Sequence, residues 1–384
     1  MKILLPYYDN SLDKIDMTIF LKDFASGGAE WFCKKLYNSY KNEIELFLLE
    51  TEDVQSRSKK QEIIKKIKLK AEEVNADIMI SNFSNGCITG ASMMDIPIPI
   101  MYINHAVSPM MSSVVHQLRL KQNNHSVFLV NEYQKNYYDA YSKRLKQTLI
   151  DFDGYVEPSY VEGIKPKLQD NPEYDCITVG RCNPDTKKPY LLKSLLKNTN
   201  YKTLLMTNIS NLKSNIKFDI QKKETYDKMY QYYLKNKHWD NCSYDLSHTE
   251  VLNQMLNGKS YFMTCPVECF PITGLEALSR GLPLIINTVF ESDGRPSKRV
   301  GYKEPSHGAN CWALSKNHYV NINQNSSEEL INAIENFKNI DRQEISDSIW
   351  ETYTHKRWKS LLDNAIDKTI ENFKNKSSLS SFFT

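Results

Sequence analysis

The sequence predicts an α/β protein of two doubly wound domains, each a parallel sheet with helices on both faces. Three observations predict it. Short apolar or β-branched runs alternate with helical patterns, the alternation restarts once, and the stretch between the two series carries Pro158, Gly163, Pro166 and Pro172 with little periodicity. The resulting division is a first domain over 1–155, a linker over 156–173, a second domain over 174–345, and a C-terminal helical segment over 346–384 that packs back on the first domain.

In the first series, strands are expected at MKILL (1–5), IELFLL (44–49), ADIMIS (76–81), IPIMYI (98–103) and SVFLVN (126–131). Helical patterns separate them, AEWFCKKLYNSY (29–40) and QEIIKKIKLKAEEV (61–74) among them. The second series runs through DCITVG (175–180), KTLLMT (202–207), KSYFMT (259–264) and LPLIIN (282–287) and ends near CWALS (311–315). The tail, roughly 326–375, is amphipathic, and SSEELINAIENFKN opens it with a serine and an acidic first turn.

Composition narrows the function classes. The 384 residues are comfortable for two domains, and a 41% apolar fraction with a net charge of +3 is ordinary for a soluble globular chain. Asp9, Asn10 and Asp13 follow MKILLPYY too soon for a signal peptide, and no run of about eighteen apolar residues suggests a membrane span. The eight cysteines lack the paired spacing of a zinc site, so a reduced, cytoplasmic protein is expected.

Two doubly wound domains create a cleft, and ligands in such sheets sit beyond the carboxyl ends of the strands. Suggestive residues fall at those ends in four places. In VECFPITGLEALSRGLP, Glu268 and Glu276 stand eight residues apart around a loop that enters a helix. The free N–H groups of that helix, at Ile272, Thr273 and Gly274, can hold a phosphate. Carboxylates beside a phosphate site suggest a sugar nucleotide, one acid on sugar hydroxyls and the other on a ribose. Arg181 ends the first strand of the second domain, and Lys187 or Lys188 follows on the same loop; together such cations neutralise a diphosphate. Gly27 and Gly28 precede a helix and permit close backbone approach. His105, in NHAVSP, follows a strand end and can hydrogen-bond a sugar hydroxyl or an acceptor.

In this order, GGAE, GR…K, E-x7-E and the A-x-x-x-G-x-P that follows resemble the landmarks of the retaining GT-B glycosyltransferases, over roughly residues 20 to 320. HGANCWALSKNH (307–318) is similar to that family's G-x-N-G strand, with Cys311 where glycine is common. The resemblance implies an enzyme that needs no metal and no cofactor. Its donor, a nucleotide sugar such as UDP-glucose or UDP-arabinose, is held by the second domain, and a hydroxyl acceptor by the first. It places Arg181 and Lys187 or Lys188 on the diphosphate, Glu268 on the donor sugar and Glu276 on the ribose. It also places the backbone of Ile272, Thr273 and Gly274 on phosphate, Gly27 and Gly28 opposite the diphosphate, and His105 among the catalytic residues. The usual spacing from Arg to Lys is five residues, and here it is six or seven.

Within that family the first domain also resembles the T-even-type phage α-glucosyltransferases that modify 5-hydroxymethylcytosine in DNA. The resemblance rests on YINHAVS, the basic HQLRLKQNNH (116–125) and a Lys- and Asn-rich composition. It implies a double-stranded DNA partner and a location in the cytoplasm of an infected host cell. Basic clusters at 57–70, 119–121, 142–146 and 294–299 are the candidates for DNA contact. Two alternatives stand beside it: a transferase acting on a cell-surface or lipid-linked glycan, approaching the membrane through an amphipathic helix at 59–70, and a non-catalytic GT-B-like binding module. Asp151-Phe-Asp153 has the D-x-D form of a metal-binding motif, but it abuts the linker and is read as a decoy.

Overall fold

The computed structural model describes residues 1–7, 16–21, 28–49, 60–81, 96–105, 117–118, 120–130, 134–135, 151–181, 188–209, 224, 227–228, 231, 242–265, 270–288, 318–323 and 326–380. The chain forms two compact units. One is built from Met1–Lys22, Ser26–Ser159 and His355–Thr384, the other chiefly from Tyr160–Thr354.

The sheet of the first unit contains β1 (Ile3–Tyr7), β2 (Ile44–Leu48), β3 (Ile78–Ser81), β4 (Ile100–Asn104), β5 (Ser126–Leu129) and β6 (Gly154–Tyr155), in the order β2-β1-β3-β4-β5-β6. Every pairing is parallel. Such a sheet is covered on both faces, so its strands read as unbroken apolar runs, and all five residues of β1 are buried. Pro6 is tolerated in this central strand because β1 pairs with β3 only at Ile3 and Leu4. Helices α1 (Met17–Leu21), α2 (Gly28–Ser39) and α3 (Lys60–Glu73) belong to this unit. Phe20 of α1 packs edge-on against Tyr7 at 4.8 Å and Tyr37 at 5.4 Å.

The second unit repeats the plan with β7 (Cys176–Arg181), β8 (Thr203–Asn208), β9 (Cys242–Tyr244), β10 (Tyr261–Met263), β11 (Leu284–Thr288) and β12 (Tyr319–Asn323), ordered β12-β11-β10-β7-β8-β9 and again parallel. Its helices among the described residues are α4 (Leu191–Leu196), α5 (His248–Met255), α6 (Ile272–Leu278), α7 (Ser327–Asn336) and α8 (Arg342–Thr352). On one face α4 and α7 close over Cys176, Phe262, Ile285 and Ile322. Burial of the Cys176 thiol pushes its pKa up to about 12, which keeps it protonated and inert. The two-domain α/β prediction holds. The strand expected at 311–315 lies outside the described residues, while β6, β9 and β12 are strands the sequence reading does not anticipate. β9 is three half-buried residues without an apolar run, and β12 mixes Asn with Val and Ile.

The last helix, α9 (His355–Ser380), returns to the first unit and packs on β4 and β5. Trp358 is buried against Phe32, with ring centroids 6.1 Å apart, and its Nε1 donates to the Glu157 carbonyl at 2.7 Å. Arg357 grips the Glu157 carboxylate with both terminal nitrogens, at 2.8 and 2.6 Å. Burial raises the pKa of that carboxyl, and the guanidinium opposes the shift. Tyr40 donates to Asp363 at 2.6 Å, and His125 stacks on Phe373 at 5.4 Å. Trp358→Ala is expected to lower stability by about 3–5 kcal/mol in chemical denaturation, since it empties the largest fully buried side chain and orphans the Glu157 carbonyl.

Candidate functional site

Each sheet has one point where its strand order reverses, and ligands of doubly wound proteins bind beyond the carboxyl ends of the strands at that point. In the second unit the reversal lies between β7 and β10, which pair directly through Ile177 and Tyr261. β7 ends at Arg181, and the chain leaving β10 leads into α6, which carries Glu276. Topology therefore brings the end of β7, at Arg181, and the chain leaving β10 to the same edge of one sheet. The side chain of Arg181, and all of Gly27, Lys187 and Glu268, lie outside the described residues. Gly28 is the first residue of α2. Lys188 is half-buried, and its carbonyl accepts from Leu191 N at 2.9 Å where α4 begins.

Helix α6 opens after Pro271, so Ile272, Thr273 and Gly274 form the first turn, whose N–H groups have no acceptor within the helix. A Cβ added at Gly274 would lie 3.3 Å from Met263 Sδ, 3.3 Å from Pro271 Cβ and 3.4 Å from Leu284 Cδ1. The glycine thus lets α6 sit directly on β10 and β11. The other end of the helix is held firmly. Ser346 Oγ and Trp350 Nε1, both from α8, donate to the Ser279 carbonyl at 2.8 and 2.9 Å. Arg342 reaches the Gly281, Arg280 and Gln169 carbonyls with its Nε and its two terminal nitrogens at 3.2, 3.4 and 3.1 Å. A guanidinium at a helix C-terminus also suits the helix dipole. Gly281 has φ +71, and a Cβ there would fall 2.4 Å from the Arg342 carbonyl oxygen.

Glu276 lies half-buried on α6 and is engaged from α5. Nε2 of His248 donates to Glu276 Oε1 at 2.7 Å, the tautomer that a carboxylate acceptor requires. Arg280 joins the same two helices, its Nε donating to the Leu252 carbonyl at 3.0 Å and one terminal nitrogen to the Glu276 carbonyl at 3.3 Å. Burial pulls the Arg280 guanidinium below its ordinary pKa. His248 is absent from the sequence reading. Its only sequence signal is positional: it follows Ser247, which forms a capping box with Glu250 and fixes where α5 starts.

His105 stands one residue beyond β4. The end of that strand is bridged to β5 by Gln134, which donates to the Asn104 carbonyl at 2.9 Å and accepts from Val130 N at 2.8 Å. The imidazole packs on Phe32 with centroids 5.5 Å apart. Its Nε2 is buried and has no hydrogen-bond partner among the described residues. Desolvation lowers the His105 pKa to about 4, so the ring is neutral near pH 7. A neutral imidazole with an unmet nitrogen can accept a proton from a hydroxyl or hydrogen-bond to one.

Asp153, from the D-x-D, has a structural task. Its carboxylate takes Lys121 Nζ at 2.7 and 2.8 Å, Val127 N at 2.8 Å and Asn372 Nδ2 at 3.0 Å, tying β5 to α9. In the basic cluster at 119–121, Lys121 is committed to Asp153, and Arg119 lies outside the described residues. The amphipathic helix at 59–70 is corrected. Ile63, Ile64, Ile67 and Ala71 of α3 are buried in the unit's core, so its apolar face is not available to a membrane. Lys66 pairs with Glu62, and Lys70 pairs with Glu45 and Glu73. Of the other basic clusters, 142–146 and 294–299 lie outside the described residues. No helix among the described residues is long and apolar enough to cross a membrane.

Comparison with protein-family models and with curated proteins finds no match for the sequence. Solved structures do match. Sucrose-phosphate synthase from Thermosynechococcus elongatus superposes with a TM-score of 0.65 over 96% of this chain and 99% of that one, at 10% identity. A glycosyltransferase from Rickettsia africae gives 0.56 over 96% and 98%, at 11% identity. Anabaena HepE, in complex with UDP and glucose, gives 0.53 over 99% of each chain, at 12% identity. The fold is GT-B. In this GT-B chain the reversal point of the second sheet carries Arg181 and leads to Glu276, and the first sheet presents His105 at a strand end.

Two outcomes test the site's construction. Gly281→Ala is expected to cost about 1–3 kcal/mol of stability by denaturation, because the left-handed backbone and the Arg342 carbonyl both oppose a Cβ. His105 should titrate near pH 4 in a histidine NMR experiment. Its folded pKa lies below the unfolded value, so its contribution to stability is present above about pH 6.5 and is lost as pH falls toward 4. His105→Gln should flatten that part of the stability profile.

Proposed function

We propose that this chain is a retaining glycosyltransferase that moves a sugar from a UDP-sugar to a hydroxyl acceptor. The observation that carries the reading is the reversal point of the second sheet, where β7 ends in Arg181 beside the strand that leads to Glu276. Its support is the GT-B fold, shared with a protein whose structure holds UDP and glucose.

In this reading Arg181 and Lys187 or Lys188 neutralise the diphosphate, aided by the first-turn N–H groups at Ile272, Thr273 and Gly274. Glu268 holds the donor sugar's hydroxyls and Glu276 the ribose. As the bond from the anomeric carbon to the diphosphate breaks, charge develops on the leaving oxygen, and the cations stabilise it. The acceptor hydroxyl attacks from the face the diphosphate leaves, and its proton passes to a phosphate oxygen, so the anomeric configuration is retained. His105, neutral and with its Nε2 unpartnered among the described residues, suits binding of the acceptor hydroxyl or the sugar. The acceptor we propose is 5-hydroxymethylcytosine in double-stranded phage DNA, and the donor UDP-glucose or UDP-arabinose.

The test incubates the protein with a panel of UDP-sugars and hydroxymethylcytosine DNA, followed by mass analysis of the nucleosides and NMR of the anomer. Transfer is expected with the configuration of the donor. An inverted product would overturn retention, and transfer to a glycan but not to DNA would move the acceptor. Arg181→Ala should reduce kcat by about 10²–10³, the scale of losing one donor to a developing anion, with the protein still folded by circular dichroism. Activity unaffected by EDTA is expected, and its loss would return a metal to the mechanism.

A further inference from the structure

The contact between His248 and Glu276 carries a consequence for nucleotide binding. Glu276 is the acidic residue of the proposed donor site whose side chain the structure describes, and it is not left to choose its own rotamer. Oε1 is held by His248 Nε2 at 2.7 Å, while Oε2 has no partner among the described residues. Both side chains are half-buried, at 13% and 18% exposure, so water competes weakly for the bond. The imidazole is itself well anchored. His248 is the first residue of α5, whose start is fixed by Ser247 Oγ accepting from Glu250 N at 3.2 Å and Glu250 Oε2 accepting from Ser247 N at 2.7 Å. The backbone beneath Glu276 is joined to the same helix, since Arg280 links the Leu252 and Glu276 carbonyls. The carboxylate is therefore fixed at its tip and at its base by α5, with one oxygen occupied and the other unpartnered among the described residues.

We infer that His248 is a positioning residue of the nucleoside subsite, holding Glu276 so that Oε2 faces a ribose hydroxyl. The inference rests on the reading of Glu276 as the ribose residue. A glutamate free to rotate loses side-chain entropy when it binds a hydroxyl; one held in advance does not, so the tether strengthens ground-state binding of the nucleotide. Because the ribose is remote from the reacting bond, the effect falls on donor KM and leaves kcat nearly unchanged.

The experiment measures UDP binding to the full chain by calorimetry for the wild type, Glu276→Ala, His248→Ala, His248→Gln and the double alanine variant. His248→Ala is expected to weaken UDP about tenfold, as for a lost charge-assisted hydrogen bond. His248→Gln, which keeps a side-chain donor, should recover part of that loss. In the Glu276→Ala background, His248→Ala should add nothing, since its effect passes through the carboxylate. Donor KM should rise with kcat held within about twofold. If His248→Ala fails to fold, His248→Phe keeps the ring's bulk without the donor and carries the same expectation. Undiminished UDP binding by the folded His248 variant, or an equal loss with and without Glu276, overturns the inference. A wild type that does not bind UDP, or a Glu276→Ala variant that binds it normally, instead removes the ribose reading, and this inference with it.

Discussion

A parallel strand cannot turn straight back beside its neighbour, and that constraint governs both units. Each crossover must carry chain over the sheet, so both faces become covered and the strands become apolar throughout. Chemistry is then confined to the edge where strands end, and most usefully to the point where the order of crossovers reverses. In the second unit this puts Arg181 of β7 beside the exit of β10. The helix that follows is seated by Gly274 against Met263 and Leu284 and anchored behind by Arg342, Ser346 and Trp350. A group on α6 is presented from a support fixed at both ends.

The same constraint explains what the sequence makes legible. Strands such as Ile3–Tyr7 and Thr203–Asn208 are buried along most or all of their length, so their burial is written as a run of Ile, Leu, Val and Met. The edge strands Cys242–Tyr244 and Gly154–Tyr155 are short and carry no such run, and they escape detection for that reason. The candidate residues at strand ends are readable because a strand's end is readable, as with Arg181 and His105. What sequence spacing does not contain is the partner of a side chain. His248 and Glu276 are twenty-eight residues apart and meet because α5 and α6 lie side by side. Gly274 shows the converse: a glycine in a suggestive segment invites a ligand role, while its Cβ-less face packs closely on Met263, Pro271 and Leu284 where α6 meets the sheet.

Basic residues illustrate how packing decides the use of charge. Lys121 belongs to the basic Arg119-Leu120-Lys121 stretch, yet its ammonium is committed to a carboxylate that is almost wholly buried. The helix Lys60–Glu73 is rich in lysine, but its isoleucines face inward and two of its lysines are paired with glutamates. Counting lysines along a sequence therefore overstates the positive surface that a polyanion could meet.

The placement of α9 has a consequence for how the protein is made. The first unit is not contiguous in the chain, since Trp358 and Phe373 complete packing begun by Phe32 and His125. Residues Tyr160–Thr354 leave the ribosome before that last helix exists. The second unit can close while synthesis continues, whereas the first must wait with its α9 face uncovered until α9 itself has been translated. Of the two units, the one begun first is completed second.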